Sequence, residues 1–492
     1  MNAYVVKNSL VVKYLDSRAR LLIGVFIASL LLSCIAVAYN PIIGRDASMY
    51  MDVAGASLVE SLPSLLGRFD WPWFSILLGK LYYLTGLPLE SLAHIICELL
   101  TACACVLLVD LITRERPDAR LLMALLVLAL PSFNDYRGDI LRENGFWFFS
   151  ILALWLLSSF KGIIGLFSSC LALAFACFFR LEAIYLIIVP PIVWMIGRQV
   201  SARQKWLWLV IVLSVIVLVI VALVAALHAG LLPQGRVTNY VMRLDVSMLL
   251  SNFNQFSLQV AQAMPQAYAR DDASLIVLFG LFGYLLYKTA SALGVFVVPL
   301  LVHRSTANKD QSYSLAIFNV AALGYAFILM VFLVSNLFMS QRYVAFLTML
   351  LVPQISMGLY KLLQRWPYLK TILIVLLILM ALANVVSLSA PKTQIRDAGQ
   401  WIGTHIPKQA RVYMEDSRIS YYAGWGFSPK VFQRDEAIVK QGSDSFEYFA
   451  LDLKRSPEEQ IQQVTAQGLT LLATFKNDKG ETYGVFQRKS SQ

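Results

Sequence analysis

Apolar positions in this chain fall into runs of about twenty residues, the length a bilayer core requires of a spanning helix. The runs place spans near 21–39, 89–113, 120–133, 145–160, 162–179, 182–197, 206–228, 273–302, 312–334, 343–360 and 370–389, eleven in all. The third is short, and the eighth is long enough for Lys288 to mark a turn within it. A further stretch, 72–87, opens at Pro72 and carries Trp73, Phe74, Leu77, Leu78, Leu81, Tyr82 and Tyr83. Counting it as a span would invert every later loop, so it reads as a helix lying in the membrane interface.

After residue 390 the pattern shortens. Ile395, Ala398, Ile402 and Ile406 keep helical spacing, and Ala410, Val412 and Met414 alternate with polar positions as in a strand. Ser456, Pro457 and Glu459 spell a helix start with a capping box, Gly468 suits its end, and β-prone runs follow at 469–475 and 482–487. The fold class is therefore a polytopic α-helical membrane protein of about eleven transmembrane helices with a small C-terminal α/β domain. The membrane part is 1–390, with outer loops at 40–88, 134–143 and 229–272; the soluble part is 391–492.

Composition agrees. Of 492 residues 58% are hydrophobic and 14% charged, against about 25% charged in a soluble domain, which excludes an ordinary soluble enzyme and a disordered chain. Residues 391–492 alone carry 26 charges, a normal soluble density. Lys and Arg outnumber Asp and Glu by 41 to 30, but the excess does not form a nucleic-acid surface. It sits in short loops: Arg114, Arg116 and Arg120; Lys161; Arg198, Arg203 and Lys205; His303, Arg304 and Lys309; Lys361, Arg365 and Lys370. The positive-inside rule then puts the N-terminus inside and the tail outside. The first span follows a basic segment, and no small-residue cleavage site precedes Asn40, so it reads as uncleaved. The six cysteines lie in or beside apolar runs, and four histidines are too few for a multi-histidine zinc site.

Candidate chemistry gathers in the outer loops. In Gly44-Arg45-Asp46-Ala47-Ser48-Met49-Tyr50, Asp46 opens a helix with Tyr50 one turn on, where a carboxylate can take a proton from a hydroxyl. The alternative is a helix cap. The same loop holds Arg68. A second cluster, Asp135, Arg137, Asp139, Arg142 and Glu143, is denser in charge than a connector needs, unless it is a solvated ion-pair group. Arg180 and Glu182 interrupt two apolar runs, and Arg342 with Tyr343 begins another. Such arginines grip phosphate with a forked cation, or merely snorkel. Inside the spans, His94 and Glu98 offer a proton path, or Glu98 pairs with Lys288. Walker, dinucleotide and nucleophile-elbow patterns are absent.

The ordered set is an Asp-x-x-x-Tyr helix after the first span, a proline-started helix ending Leu84-Thr85-Gly86-Leu87, an acidic outer loop, an Arg between apolar runs, and Arg342-Tyr343 with Pro353 beyond. It resembles the GT-C class of integral-membrane glycosyltransferases, which includes protein O-mannosyltransferases and the lipid A aminoarabinose transferase. The resemblance implies a polyprenyl-phosphate sugar donor and a lipid A, surface-glycan or protein acceptor, at the bacterial inner membrane with a periplasmic tail. It implies Asp46 as catalytic residue. Arg45, Tyr50, Arg68, Asp135, Asp139, Glu143, Arg180, Glu182, Arg342 and Tyr343 are the expected substrate contacts. No cofactor is expected: many members have Asp-Glu in the first loop, and Ala47 after Asp46 weakens the case for a divalent metal. A glycan ligase or polymerase using a lipid diphosphate would keep the arginines but place its large loop late. A transporter would show inverted repeats and broken helices.

Overall fold

A computed structural model of the chain describes residues 2–114, 117–160, 162–196, 246–305, 313–386, 389–429, 432–439, 445–454 and 456–489, with isolated positions between 203 and 225. Among the described residues, five helices are long and apolar enough to cross a membrane: Ser17–Tyr39, Leu89–Arg114, Gly162–Phe179, Ala273–His303 and Leu315–Asn336. The chain is a multi-pass membrane protein.

A sixth span would be a bent one. Gln341–Leu350 and Val352–Arg365 meet at an angle of 57°. Pro353 at the start of the second piece has no N–H for a continuous ladder, and its ring excludes the carbonyl one turn back. Other expected spans are shorter than drawn. The third is the 9-residue helix Arg120–Leu128, stopped ahead of Pro131. The eleventh is Leu369–Ala383, and the sixth is split into Ala183–Leu186 and Val189–Ile196 beside Pro190 and Pro191, while the fourth forms at about its drawn length as Glu143–Ser159. The seventh, 206–228, lies outside the described residues except for isolated positions. Lys288 does not mark a turn. It sits within Ala273–Leu293, and the α-helix is interrupted only at Gly294, whose φ of 54° suits glycine.

The chain folds as two compact units, each assembled from separate stretches. The first comprises 1–32, 97–137 and 142–384; the second comprises 33–96, 138–141 and 385–492. The second unit thus takes in the loop 40–88 together with the tail, although composition changes only at 390.

In the first unit, buried Asp110 joins three helices. It accepts from Arg18 Nε at 2.7 Å, from Arg114 Nη2 at 2.6 Å and from the Trp155 indole at 2.9 Å. Glu98 does not pair with Lys288. Glu98 feels the charge of Arg137 instead, while the Lys288 ammonium lies 5.4 Å from the Tyr284 ring. The amide-rich stretch expected as the third outer loop contains an 18-residue helix, Val246–Ala263. Leu249, Phe253, Phe256 and Val260 recur there at helical spacing, which the many Asn and Gln obscure.

The second unit contains a four-stranded sheet: β1 (Val412–Met414), β2 (Tyr448–Asp452), β3 (Leu469–Lys476) and β4 (Thr482–Arg488), in the order β1-β2-β4-β3. β1 and β2 are parallel, and β4 runs antiparallel to both neighbours. The expected helix is Thr393–His405, which lays Ile395, Ala398 and Ile402 against one face of the sheet with Met414 and Val485. The opposite face packs Tyr413, Phe449, Leu451, Val464 and Phe486. The helix Pro457–Ala466 also forms, but Ser456 at its N-cap makes no side-chain hydrogen bond, so the capping box is not made. Sequence pattern missed β2, whose middle residues are buried on both faces and so do not alternate.

Candidate active site

The loop 40–88, expected on the outer side, folds into short helices. α1 (Arg45–Ala56) is capped by Gly44, without a side-chain cap bond, so Asp46 is not the N-cap. It lies in the first helical turn, half-buried, where the helix dipole favours a carboxylate. Tyr50, one turn on, is only 2% exposed. Its ring meets Phe69 at 6.0 Å and Phe74 at 5.5 Å, which makes it a core residue of the loop.

The tail fixes the start of α1. Buried Asp416 accepts from Arg45 Nε at 3.0 Å, and from Arg418 through its backbone N–H at 3.0 Å, Nε at 2.9 Å and Nη2 at 2.8 Å. Burial pushes this carboxyl up, but the hydrogen bonds and charge of Arg418, with Arg45 behind them, outweigh it and hold it below the usual carboxylate range. Beside it the Ile43 N–H donates to the Tyr422 hydroxyl at 3.1 Å, and the Tyr421 hydroxyl donates to Glu90 at 2.7 Å. Burial, then the charge of Glu90, pushes the Tyr421 phenol up, which keeps it a donor.

Further along α1, Asp52 faces Arg68 at 3.3 Å, and Arg68 forks onto Glu60 with Nε at 2.9 Å. The Ser64 hydroxyl and then Arg68 hold Glu60 below its usual range. Gly426 completes this corner. Its φ is 85°, and a Cβ there would lie 2.4 Å from Asp52 Oδ1. A glycine is needed for both the backbone and the carboxylate.

A separate cluster belongs to the first unit. Helix Glu143–Ser159 packs against Gly162–Phe179, and Gly145 admits the Phe179 ring where a Cβ would lie 2.1 Å from it. That close approach sets Glu143 beside Arg180, the residue after Phe179. Arg180 Nη1 donates to Glu143 Oε1 at 2.7 Å, Arg180 also forks onto Glu182, and its guanidinium lies 4.6 Å from the Tyr343 ring. Arg342 Nε stands 3.7 Å from the same Glu143 oxygen, an ion pair beyond hydrogen-bond length. Tyr343 is held by the Tyr325 hydroxyl, which donates to its carbonyl at 3.0 Å. Arg180 is 6% exposed, whereas the Arg342 side chain keeps 27% of its surface. The two arginines and two carboxylates balance in charge. Glu143 is 2% exposed, and its Oε2 accepts no hydrogen bond from the described residues.

The acidic loop is divided. Asp135 belongs to the first unit and Asp139 to the second. Asp135 shows surface to solvent yet is crowded by protein atoms, and that desolvation pushes its carboxyl above the usual range. Arg137 between them is buried, donating to Asn134 at 2.6 Å and to the Ser29 hydroxyl at 2.8 Å.

Sequence reading singles out Asp46 and Arg342 as candidates but misses the residues that hold α1: Asp416, Arg418, Tyr421, Tyr422 and Gly426. Asp-Ser-Arg at 416–418 is a helix-start signal, and Gly-Trp-Gly at 424–426 is a turn, so the elements were readable but their partners were not. Among the described residues no three His, Cys, Asp or Glu side chains gather, and the nearby carboxylate Asp52 already faces Arg68.

The apolar helices of the first unit and the α/β sheet of the second define a polytopic membrane protein with a small α/β part. No family model matches the chain, and no curated protein does. Solved structures do. The Archaeoglobus fulgidus oligosaccharyltransferase, crystallised with Zn and sulfate, superposes with a TM-score of 0.53 at 12% identity, over 94% of this chain and 72% of that one. ArnT from Cupriavidus metallidurans, in the apo state, gives a TM-score of 0.42 at 12% identity, over 94% of this chain and 97% of that one. The fold is that of the GT-C membrane glycosyltransferases.

Proposed function

We propose that the protein is a glycosyltransferase that moves a monosaccharide from a polyprenyl-phosphate donor to a lipid A, surface-glycan or protein acceptor by direct displacement. The observation that supports this best is Asp46: a carboxylate in the first turn of α1, not used as the cap, on a helix whose start is tied to the tail through Arg45 and Asp416. The acceptor hydroxyl oxygen attacks the sugar's anomeric carbon while its proton passes to the Asp46 carboxylate. The bond from that carbon to the phosphate oxygen breaks, and the phosphate leaves with the electron pair. A phosphate is a good leaving group, so the donor side needs cations rather than a strong acid. Within the cluster of the first unit, Arg180 is saturated by Glu143 and Glu182 and serves as a positioning residue, so Arg342 is that cluster's candidate for a phosphate. The site lies at the periplasmic face of a bacterial inner membrane, following the distribution of basic loops.

The test is turnover by purified protein in liposomes with synthetic polyprenyl-phosphate sugars and a mixture of envelope acceptors. Release of polyprenyl phosphate with formation of a new glycoside is the expected result. Turnover only with a lipid-diphosphate oligosaccharide would move the assignment to a glycan ligase, and turnover with neither would remove it.

A further inference from the structure

The second unit holds a cavity of about 520 Å³, within the size range of small-ligand sites. Its wall mixes both signs of charge, but the acids are already engaged. Asp416 is saturated by Arg45 and Arg418. Glu481 accepts from Gln394 at 3.3 Å and from Asn477 at 3.2 Å, and Asp452 Oδ1 accepts from the Lys454 N–H at 3.0 Å. The exposed lysines Lys392 and Lys454, by contrast, pair with no described residue through their ammonium groups. Neutral donors leave the charges of Glu481 and Asp452 in place, so four cations face three carboxylates and the wall keeps a small positive excess, carried at its surface by the two lysines.

Three other features mark the cavity as a built site. Lys454 has φ of 49°, a left-handed conformation that costs a side-chain-bearing residue energy and is kept where surrounding structure enforces it. Gln394 is 3% exposed and gives its amide to Glu481, while its Oε1 has no partner among the described residues. Ser456 stands at a helix N-cap without capping, so the first-turn amides of Pro457–Ala466 lack that acceptor. Glu458 and Glu459 in the same turn partly offset the positive helix end, which leaves the two lysines as the main attraction for an anion. Tyr483 adds a hydroxyl on the wall; burial, then Asp416, pushes its phenol up, so it remains protonated.

We infer that this cavity binds the acceptor through an anionic sugar, one bearing a phosphate or a carboxylate. The inference rests on the transferase reading and names the acceptor's chemical class. Arg45 lines the cavity and precedes Asp46 in the first turn of α1, so the cavity opens at the start of the helix that carries the residue assigned to deprotonate an acceptor. Lysine charges select the anion, and the carboxamide, hydroxyl and backbone groups suit a polyhydroxylated ring.

The test measures binding to the full-length protein in detergent micelles by titration calorimetry. The probes are glucose 6-phosphate, glucuronic acid, glucose and inorganic phosphate. Both anionic sugars should bind about tenfold or more tighter than glucose, as a lost charge-assisted contact implies, and tighter than inorganic phosphate. The double variant Lys392→Ala/Lys454→Asn should lose that preference with its melting point unchanged, since asparagine tolerates the left-handed backbone. Each of these results would overturn the inference: no preference for anionic sugars, a preference that survives in the double variant, or inorganic phosphate binding as well as the sugar phosphate. Displacement of glucose 6-phosphate by phosphatidylglycerol vesicles would also overturn it, by reassigning the cavity to a lipid headgroup. If binding fails while Asp46-dependent transfer persists, only the pocket assignment falls. If binding holds and no transfer occurs, the transferase reading falls instead.

Discussion

Replacing Asp416 by Ala separates the architecture of the loop from its chemistry. The carboxylate is 1% exposed and accepts three hydrogen bonds from Arg418 and one from Arg45. The Arg418 side chain keeps only 11% of its surface, so removing its counter-ion strands a nearly buried cation, a change that costs about 3–5 kcal/mol. Arg45 is different: its side chain is 67% exposed, and such a pair contributes about 1 kcal/mol or less. Arg45→Ala should thus barely move the melting temperature, whereas Asp416→Ala should lower it several times more. Both should reduce transfer, because both release the start of α1. Acid should mimic the second variant. The folded-state pKa of Asp416 is depressed, so its contribution is complete above the unfolded carboxylate value of about 3.9 and is lost as pH falls below that. Melting curves of wild type, Arg45→Ala and Asp416→Ala between pH 3 and 7, with transfer rates at neutral pH, decide the matter. Equal melting shifts for the two variants, or an Asp416→Ala protein as stable as wild type, would refute the reasoning.

Three further outcomes follow. Arg342→Ala should slow turnover of the lipid-phosphate donor with little change in melting, and Lys at 342 should restore only part of it because a point charge cannot reproduce the fork; an unaffected Arg342→Ala enzyme would leave that arginine as a snorkelling residue. Asp110→Ala should cost toward the lower end of about 3–5 kcal/mol, since Arg18 and Arg114 retain 29% and 26% of their side-chain surface; a detergent melting curve matching wild type would count against the three-helix junction. Gly426→Ala should cost about 1–3 kcal/mol from its left-handed backbone and displace Asp52 as well; an unchanged melting point and an unchanged Arg68→Ala effect in that background would show that the corner is not tight.

The membrane class and most of the tail were legible because their signals are local. Twenty-residue apolar runs, the spacing of Ile395, Ala398 and Ile402, and the alternation around Val412 are each visible within a few turns of chain. Span boundaries were less so, since Pro353 bends one helix and Pro131 stops another while the apolar composition runs on. Of the site, Asp46 and Arg342 stood out as charges at the ends of apolar runs. Their surroundings did not, because Arg45 meets Asp416 across 371 positions and Glu143 meets Arg180 across 37. Asp-Ser-Arg in the tail looks like any helix start until its carboxylate is seen to hold the first loop. Tyr50 shows the reverse error: helical spacing put it beside Asp46, but Phe69 and Phe74, distant enough to escape that pattern, draw it into the core.

The most direct measurement is the transfer rate of Asp46→Asn against wild type, in liposomes with a polyprenyl-phosphate sugar, beside a melting curve of each preparation. The substitution keeps size and removes the basic oxygen. With Asp46 as the base, transfer should fall by about 10²–10⁴-fold while the melting curve stays in place. An Asp46→Asn protein that melts like wild type and transfers sugar at a similar rate would contradict the assignment and turn attention to Glu143, Asp135 and Asp139.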